Sequence, residues 1–262
     1  MGNAPVNFII AALIILGGLG FPVLYNLGSY PLFGSGRGKW RLTFHSKMVL
    51  SVSAGLLAAG TIGILLLEYR GALAPLPWHQ KWLAAAFQSV TARTAGFNTL
   101  NIGVLSDATL FLLIVLMWVG GSPASTAGGI KTTTFGVMLA TFRSMLRQRE
   151  AVEIFRRSLA PNVVQKAIAV GFISSALLAL FLLILLTIEE GGFRDILFET
   201  VSAFNTVGLS TGITPHLTPW GKLVLALTMF VGRIGPLTIA LSLAERTSRG
   251  VYHYPQEKVI VG

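Results

Sequence analysis

The chain has 262 residues, 53% of them apolar and only 11% charged, with a mean hydropathy of +0.71 and a formal charge of +10 at pH 7. So few charges cannot cover a soluble domain, so most of the solvent is lipid. Cysteine is absent, which excludes disulfides and thiolate metal sites.

A transmembrane helix takes about 20 mostly apolar residues. In chain order the runs 6–27, 44–67, 163–188 and 217–243 meet that length, whereas 108–119 is too short alone. The first run has no basic leader and no small-residue cleavage site, so it reads as a span and not a signal peptide. Basic residues fall in three polar stretches, the first with Arg37, Lys39, Arg41 and Lys47, the second with Arg143, Arg147, Arg149, Arg156, Arg157 and Lys166, the third with Arg246, Arg249 and Lys258. The intervening stretches 68–81 and 189–195 are poor in Lys and Arg and carry Glu68, Glu189, Glu190 and Asp195. The positive-inside rule places the three basic stretches, and with them the C-terminus, in the cytoplasm. A nucleic-acid surface would interleave aromatic residues with a basic groove on a folded domain. None of these stretches has room for one, so nucleic acid is not an expected partner.

An internal repeat organises the chain. Phe87-Gln88-Ser89-Val90-Thr91-Ala92 returns as Phe198-Glu199-Thr200-Val201-Ser202-Ala203, and Thr94-Ala95-Gly96-Phe97-Asn98-Thr99 as Thr206-Val207-Gly208-Leu209-Ser210-Thr211. Met117-Trp118-Val119-Gly120 matches Met229-Phe230-Val231-Gly232 at the same spacing. Each copy reads as a long helix, a short helix (82–92 or 195–203) that enters partway, a Thr-x-Gly turn and a second apolar helix. Irregular backbone at membrane depth is tolerated only where protein buries it or water lines it, and a pore meets that condition.

The turns suit a cation. Backbone carbonyls can replace the waters that an alkali ion loses without burying a full charge. Gly96 and Gly208 are expected where the backbone takes dihedrals that disfavour a side chain, at short-helix C-termini whose dipoles favour positive charge. Thr206-Val207-Gly208 repeats the first three residues of the potassium-channel filter sequence. A single Thr-x-Gly is weak, because Gly and Thr are common at helix interfaces in lipid; two copies in the same context are much stronger.

The stretches Phe204-Asn205-Thr206-Val207-Gly208-Leu209-Ser210, Thr91-Ala92-Arg93-Thr94-Ala95-Gly96-Phe97 and Gly120-Gly121-Ser122-Pro123-Ala124-Ser125-Thr126-Ala127-Gly128-Gly129-Ile130-Lys131 resemble the Trk/Ktr/HKT superfamily, in particular the membrane subunit of bacterial Ktr systems. The resemblance covers essentially the whole chain, and the chain looks like the family's C-terminal portion from the end of the second repeat onward. It implies an all-α polytopic membrane protein with two complete helix–pore-loop–helix repeats plus one preceding transmembrane helix, from a four-repeat potassium-channel-like architecture. Residues 1–42 then form the closing helix of an incomplete repeat and a cytoplasmic link. Residues 43–161 form a repeat with a broken last helix, 162–248 the second repeat, and 249–262 a cytoplasmic tail.

The resemblance also implies potassium held by the carbonyls of Thr94, Ala95, Thr206 and Val207, with Gly96, Phe97, Gly208 and Leu209 completing the filter. Sodium is a candidate second ion, and no tightly bound cofactor is expected. Further implications are a homodimer, a cytoplasmic ring of nucleotide-binding regulatory subunits, a plasma-membrane location, and a tail (Tyr254-Pro255-Gln256-Glu257-Lys258-Val259-Ile260-Val261-Gly262) near the dimer interface. The segment 143–157 is expected to meet either that ring or anionic lipid. Two of four filter loops are visible, so a transport-incompetent structural segment stays open beside transport.

Residues 120–129 interrupt the apolar run between 108–119 and 132–146, because Gly120, Gly121, Gly128, Gly129 and Pro123 disfavour continuous helix. The resemblance makes this stretch a gating loop below the filter, with Gly120, Gly121, Ser122, Ser125, Thr126, Gly128, Gly129 and Lys131 as its residues. Lys131 sits at the gate or snorkels to the cytoplasmic face. A phosphate loop would need Gly directly before Lys and a preceding strand, and neither is present. A nucleophilic Ser122 or Ser125 would need a base, yet His45, His79, His216 and His253 all fall in polar segments near the membrane faces. Arg233 lies within the last apolar run, where a central charge costs about 2.5–3.5 kcal/mol on insertion scales. It is expected to face the pathway near the 120–129 loop, donating to carbonyls and opposing cations, unless it reaches water on the cytoplasmic side. Arg93 beside the first turn calls for an acidic partner, for which Glu199 is the candidate.

Overall fold

The computed structural model describes residues 4–29, 41–149 and 151–235. The expected tail 249–262, the basic residues Arg37, Lys39, Arg246, Arg249 and Lys258, and His253 lie outside the described residues. In chain order the elements are α1 Ala4–Leu19, α2 Phe21–Gly28, α3 Phe44–Glu68, α4 Trp78–Thr91, α5 Asp107–Trp118, α6 Thr132–Leu146, a hairpin of β1 Glu153–Ile154 and β2 Arg157–Ser158, α7 Pro161–Ile188, α8 Phe193–Phe204 and α9 Pro219–Ile234. Nearly all of this is helix, as expected for an all-α membrane protein. The hairpin is the departure, and it follows from Phe155 and Arg156, which both take positive φ (48° and 61°), as a tight two-residue turn requires.

Helices α3 (25 residues) and α7 (28 residues) are long and apolar enough to cross a bilayer. Their starts are fixed locally. Thr43 caps α3 by accepting from the Ser46 amide, and Pro161 opens α7, where its missing N–H costs nothing. The short helices α4 and α8 begin slightly earlier than the repeat alone suggests, at Trp78 and Phe193. α4 packs on α3 and α1, α8 on α7 and α9, and α5 on both α3 and α8. The central apolar core therefore belongs to both repeats: Ile64, Leu110, Leu113 and Met117 of the first meet Phe198 and Leu209 of the second.

The 6–27 run is not one straight span. It bends by 105° between α1 and α2. Gly20 takes φ +83°, ψ 148°, which is not helical, and Pro22 can then open a new helix. The last run is helical as far as Ile234, and its expected remainder, 236–243, lies outside the described residues.

An acidic clamp recurs in both repeats. At the end of α3, Glu68 accepts from the Ser106 amide (2.9 Å) and hydroxyl (2.7 Å), from the Thr109 hydroxyl (2.7 Å) and from the Ala72 amide (3.0 Å). Just past the end of α7, Glu189 accepts from the Thr218 amide (3.0 Å) and hydroxyl. Ser106 and Thr218 are the N-caps of α5 and α9. The end of each repeat's first helix thus anchors the start of its last helix. Beside the first clamp Arg194, opening α8, donates to Asp107 (2.8 Å), and that bond raises its pKa above the ordinary arginine value.

Candidate functional site: paired turns above a glycine-rich loop

Helices α4 and α8 each run into a Thr-x-Gly turn, and the turns share one backbone pattern. Thr94 and Gly96 take φ +71° and +75°, and Thr206 and Gly208 take +52° and +89°. Glycine adopts such angles freely, whereas a β-branched residue does so only at a cost of about 1–3 kcal/mol. That equivalent threonines carry this strain in both copies marks the turns as special. Hydrogen bonds hold them: the Thr91 hydroxyl donates to the Phe97 carbonyl (2.7 Å), the Ala95 amide to Thr91 O (3.2 Å), and the Val207 amide to Ser202 O (2.8 Å).

The two turns meet backbone to backbone. A Cβ placed on Gly96 would lie 2.8 Å from Val207 O and 3.1 Å from the Gly208 Cα. Their flanks differ. Val207 and Leu209 are buried in the shared core, whereas Phe97, the counterpart of Leu209, is 55% exposed. Phe97, Arg93, Thr94 and Ala95 line a cavity of about 360 Å³ whose other wall is α1. On the second turn's side, a cavity of about 320 Å³ lies between α8 and α9, lined by Glu199, Thr206, Gly208 and Leu209.

Below the turns, residues 119–131 leave the helix and double back. The Gly120 amide donates to Ile130 O (2.9 Å), and the Thr132 amide to Gly121 O (3.0 Å). The loop also docks on the break in the first span. The amides of Ser122 and Thr126 donate to Gly18 O (3.0 Å) and Gly17 O (3.4 Å), and the Phe21 amide donates to Ala124 O (3.1 Å). The bend at Gly20 frees the α1 carbonyls that receive the loop, so one feature accounts for both.

The loop's far end presses on the second turn. A Cβ on Gly128 would fall 2.3 Å from Thr206 Oγ1, and one on Gly129 2.2 Å from Asn205 Oδ1. Asn205 is fully buried and donates to Val201 O (2.9 Å). The sequence alone does not single it out, although a polar side chain just before a Thr-x-Gly turn is a usable signal. The near end is held by Arg93, whose Nη2 lies 3.4 Å from Gly120 O.

The expected Arg93–Glu199 pair does not form. Glu199 turns instead to the residues after its own turn and accepts from the Thr211 amide (3.1 Å), the Thr214 hydroxyl (2.9 Å) and the Ser210 hydroxyl. Arg93 is 9% exposed and has no ion pair among the described residues. Lys131 bonds within the loop, donating to Ala127 O (2.7 Å), and Arg233 donates to Thr126 O. Ser122 accepts from the Thr132 hydroxyl (3.0 Å), and Ser125 Oγ from the Ala127 amide (3.3 Å), so both serines shape the loop.

Residues 2–251 match the family described as TrkH, cation transport protein. The chain is 40% identical over 257 residues to the Ktr system potassium uptake protein D of Bacillus subtilis, covering 98% of this chain and 57% of that protein. It is 38% identical to the potassium/sodium uptake protein NtpJ of Enterococcus hirae, covering 99% of this chain and 58% of that protein. The crystal structure of the potassium transporter TrkH from Vibrio parahaemolyticus superposes with a TM-score of 0.76 at 16% identity, covering 93% of this chain and 53% of that one. The chain spans about half the length of the curated relatives it matches. It belongs to the TrkH family of cation transport proteins, as a polytopic all-α membrane protein.

Proposed function

We propose that this chain supplies two loops of a potassium selectivity filter, 94–97 and 206–209, together with the gating loop of the same pathway. The observation that carries this is the pair of equivalent turns, left-handed at Thr and Gly, meeting backbone to backbone at the C-terminal ends of α4 and α8. Alternating the sign of φ breaks the strand-like alternation of carbonyl direction, so neighbouring carbonyls can be aimed at one axis. The carbonyls of Thr94, Ala95, Thr206 and Val207 would replace waters of the ion, and the two helix C-termini favour its charge. The names of the relatives, potassium uptake and potassium/sodium uptake proteins, support the choice of ion and make sodium the candidate coupled ion.

Residues 120–131 are the gate in this reading. Lys131 and Arg233 donate to the adjacent loop carbonyls of Ala127 and Thr126, so two cationic groups stand beside the loop that crosses the pathway and oppose an entering cation. The family consists of transporters and not enzymes, which leaves Ser122 and Ser125 with structural work only. A homodimer and a separate regulatory subunit on the cytoplasmic side complete the proposal; the Ktr system names support such a subunit.

Expression in a potassium-uptake-deficient bacterium tests it. Growth at low potassium is restored by the chain, or by a longer form containing it, and rubidium uptake rises when sodium is added. Gly208→Asp abolishes uptake, and Arg233→Ala raises it or alters its gating. Rescue only by the longer form favours the structural-segment reading for this chain alone, and full uptake with Gly208→Asp overturns the filter assignment.

A further inference from the structure

A groove of about 620 Å³ opens between α3, α6 and the β hairpin, away from the turns and the loop. Its polarity is graded along one face of α6. Gly136, Leu139 and Ala140 line it with Met48 and Val52 of α3, Arg143 and Arg147 follow toward the hairpin, and Arg149 and Glu153 line it there as a pair. Residues 139, 143 and 147 are four apart, so one ridge of the helix passes from apolar to basic.

The described residues of the neighbouring segment do not answer the charge of these arginines. Arg149 takes Glu153 (2.9 Å), and among the described residues neither Arg143 nor Arg147 has an ion pair. One arginine in the last turn is accounted for by the helix dipole; two beside an apolar groove are not. The walls are fixed in advance. Ser144 Oγ donates to Ala151 O (2.9 Å), the Leu159 amide to Val152 O (2.8 Å), and the Phe155 ring packs edge-on against Phe44 at 6.3 Å. Phe142, Met145 and Leu146, on the same turns of α6, are 60–71% exposed, so apolar surface continues outward from the groove.

We propose that this groove binds one anionic phospholipid of the cytoplasmic leaflet, with its phosphate on Arg143 and Arg147 and an acyl chain along Leu139, Ala140 and Val52. A tail-and-anion amphiphile matches the gradient, and basic pockets between helices on the cytoplasmic side suit such headgroups. Neither end of the groove alone has this specificity. The site does not depend on the transport reading.

The test uses the full chain purified in detergent and probed with dioleoyl phosphatidylglycerol, dioleoyl phosphatidylcholine or glycerol phosphate, with retained lipid counted by native mass spectrometry. Phosphatidylglycerol stays bound, and phosphatidylcholine and glycerol phosphate do not. Arg143→Gln with Arg147→Gln weakens retention on the order of tenfold. Ala140→Trp, which fills the groove and leaves both arginines in place, also displaces the lipid, whereas mere attraction of an anionic lipid to a basic surface would survive it. Equal retention of both lipids, competition by glycerol phosphate, or retention unchanged in either variant overturns the site. Thermal unfolding like that of the parent chain checks that each variant is folded.

Discussion

Arg93 Nη2 lies 3.4 Å from the carbonyl oxygen of Gly120, so a side chain rooted at the first Thr-x-Gly turn ends on the first residue of the glycine-rich loop. Asn205 and Thr206, rooted at the second turn, press on Gly128 and Gly129 at the other end of that loop. Each end of the loop is therefore gripped from a different repeat. Both turns contact the loop directly, one at each end.

Replacing Arg93 separates fold from function. A buried guanidinium without an acidic partner is costly, so Arg93→Met keeps the thermal stability of the parent or raises it. On the proposed reading the same change frees Gly120 O and loosens the gate, so cation flux into proteoliposomes by a transporting form that contains this chain rises several-fold. A variant that unfolds earlier by more than about 2 kcal/mol would show instead that the guanidinium holds the fold together.

The two acidic clamps differ in depth. Glu68 is 2% exposed and accepts four hydrogen bonds, so Glu68→Gln, which turns one acceptor oxygen into a donor, lowers stability by about 1.5–3 kcal/mol. Glu189 is only half-buried, and Glu189→Gln costs about 0.5–1.5 kcal/mol. Thermal unfolding in detergent measures both, and equal losses would count against burial as the cause.

At the paired turns, Gly96→Ala and Gly208→Ala both force alanine into left-handed backbone, at about 1–2 kcal/mol each. Only the first also drives a methyl group to 2.8 Å from Val207 O, whereas the second meets nothing nearer than the Gly96 Cα at 3.3 Å. Gly96→Ala is therefore the more destabilising of the pair, as read by the unfolding temperature.

The sequence carries the repeat, the two long spans and the turn glycines, because each rests on a local signal: length, hydropathy, or a residue that alone tolerates positive φ. It does not carry the left-handed Thr94 and Thr206, since β-branched residues normally avoid that region and only the surrounding bonds impose it. The bend at Gly20 is hidden for the opposite reason: glycine in an apolar run is ordinary in membrane helices, and the carbonyl of Pro123, far along the chain, is what leaves no room there for a side chain. Glu199 is an acidic residue on the short helix before the second turn, but sequence says nothing of its direction, and it faces its own turn. Glu68 and Glu189 read only as charges on the non-basic face. Ser106 and Thr218, each opening an apolar run, are the signal that a carboxylate could serve as an anchor there.

The contact between Asn205 and Gly129 gives a test that does not rely on transport. Gly129 takes φ +68°, and a methyl group there would lie 2.2 Å from Asn205 Oδ1. Gly129→Ala therefore combines a backbone cost of about 1–2 kcal/mol with a steric overlap. Asn205→Ala alone loses the bond to Val201 O, about 0.5–1.5 kcal/mol, and opens a small space. That space is where the alanine methyl group must go, so the double variant loses less stability than the sum of the singles. A coupling of about 1 kcal/mol or more in a double-mutant cycle fits residues in direct contact. Strict additivity would mean that the loop avoids Asn205 by shifting as a unit, and the grip of the second turn on the loop would have to be given up.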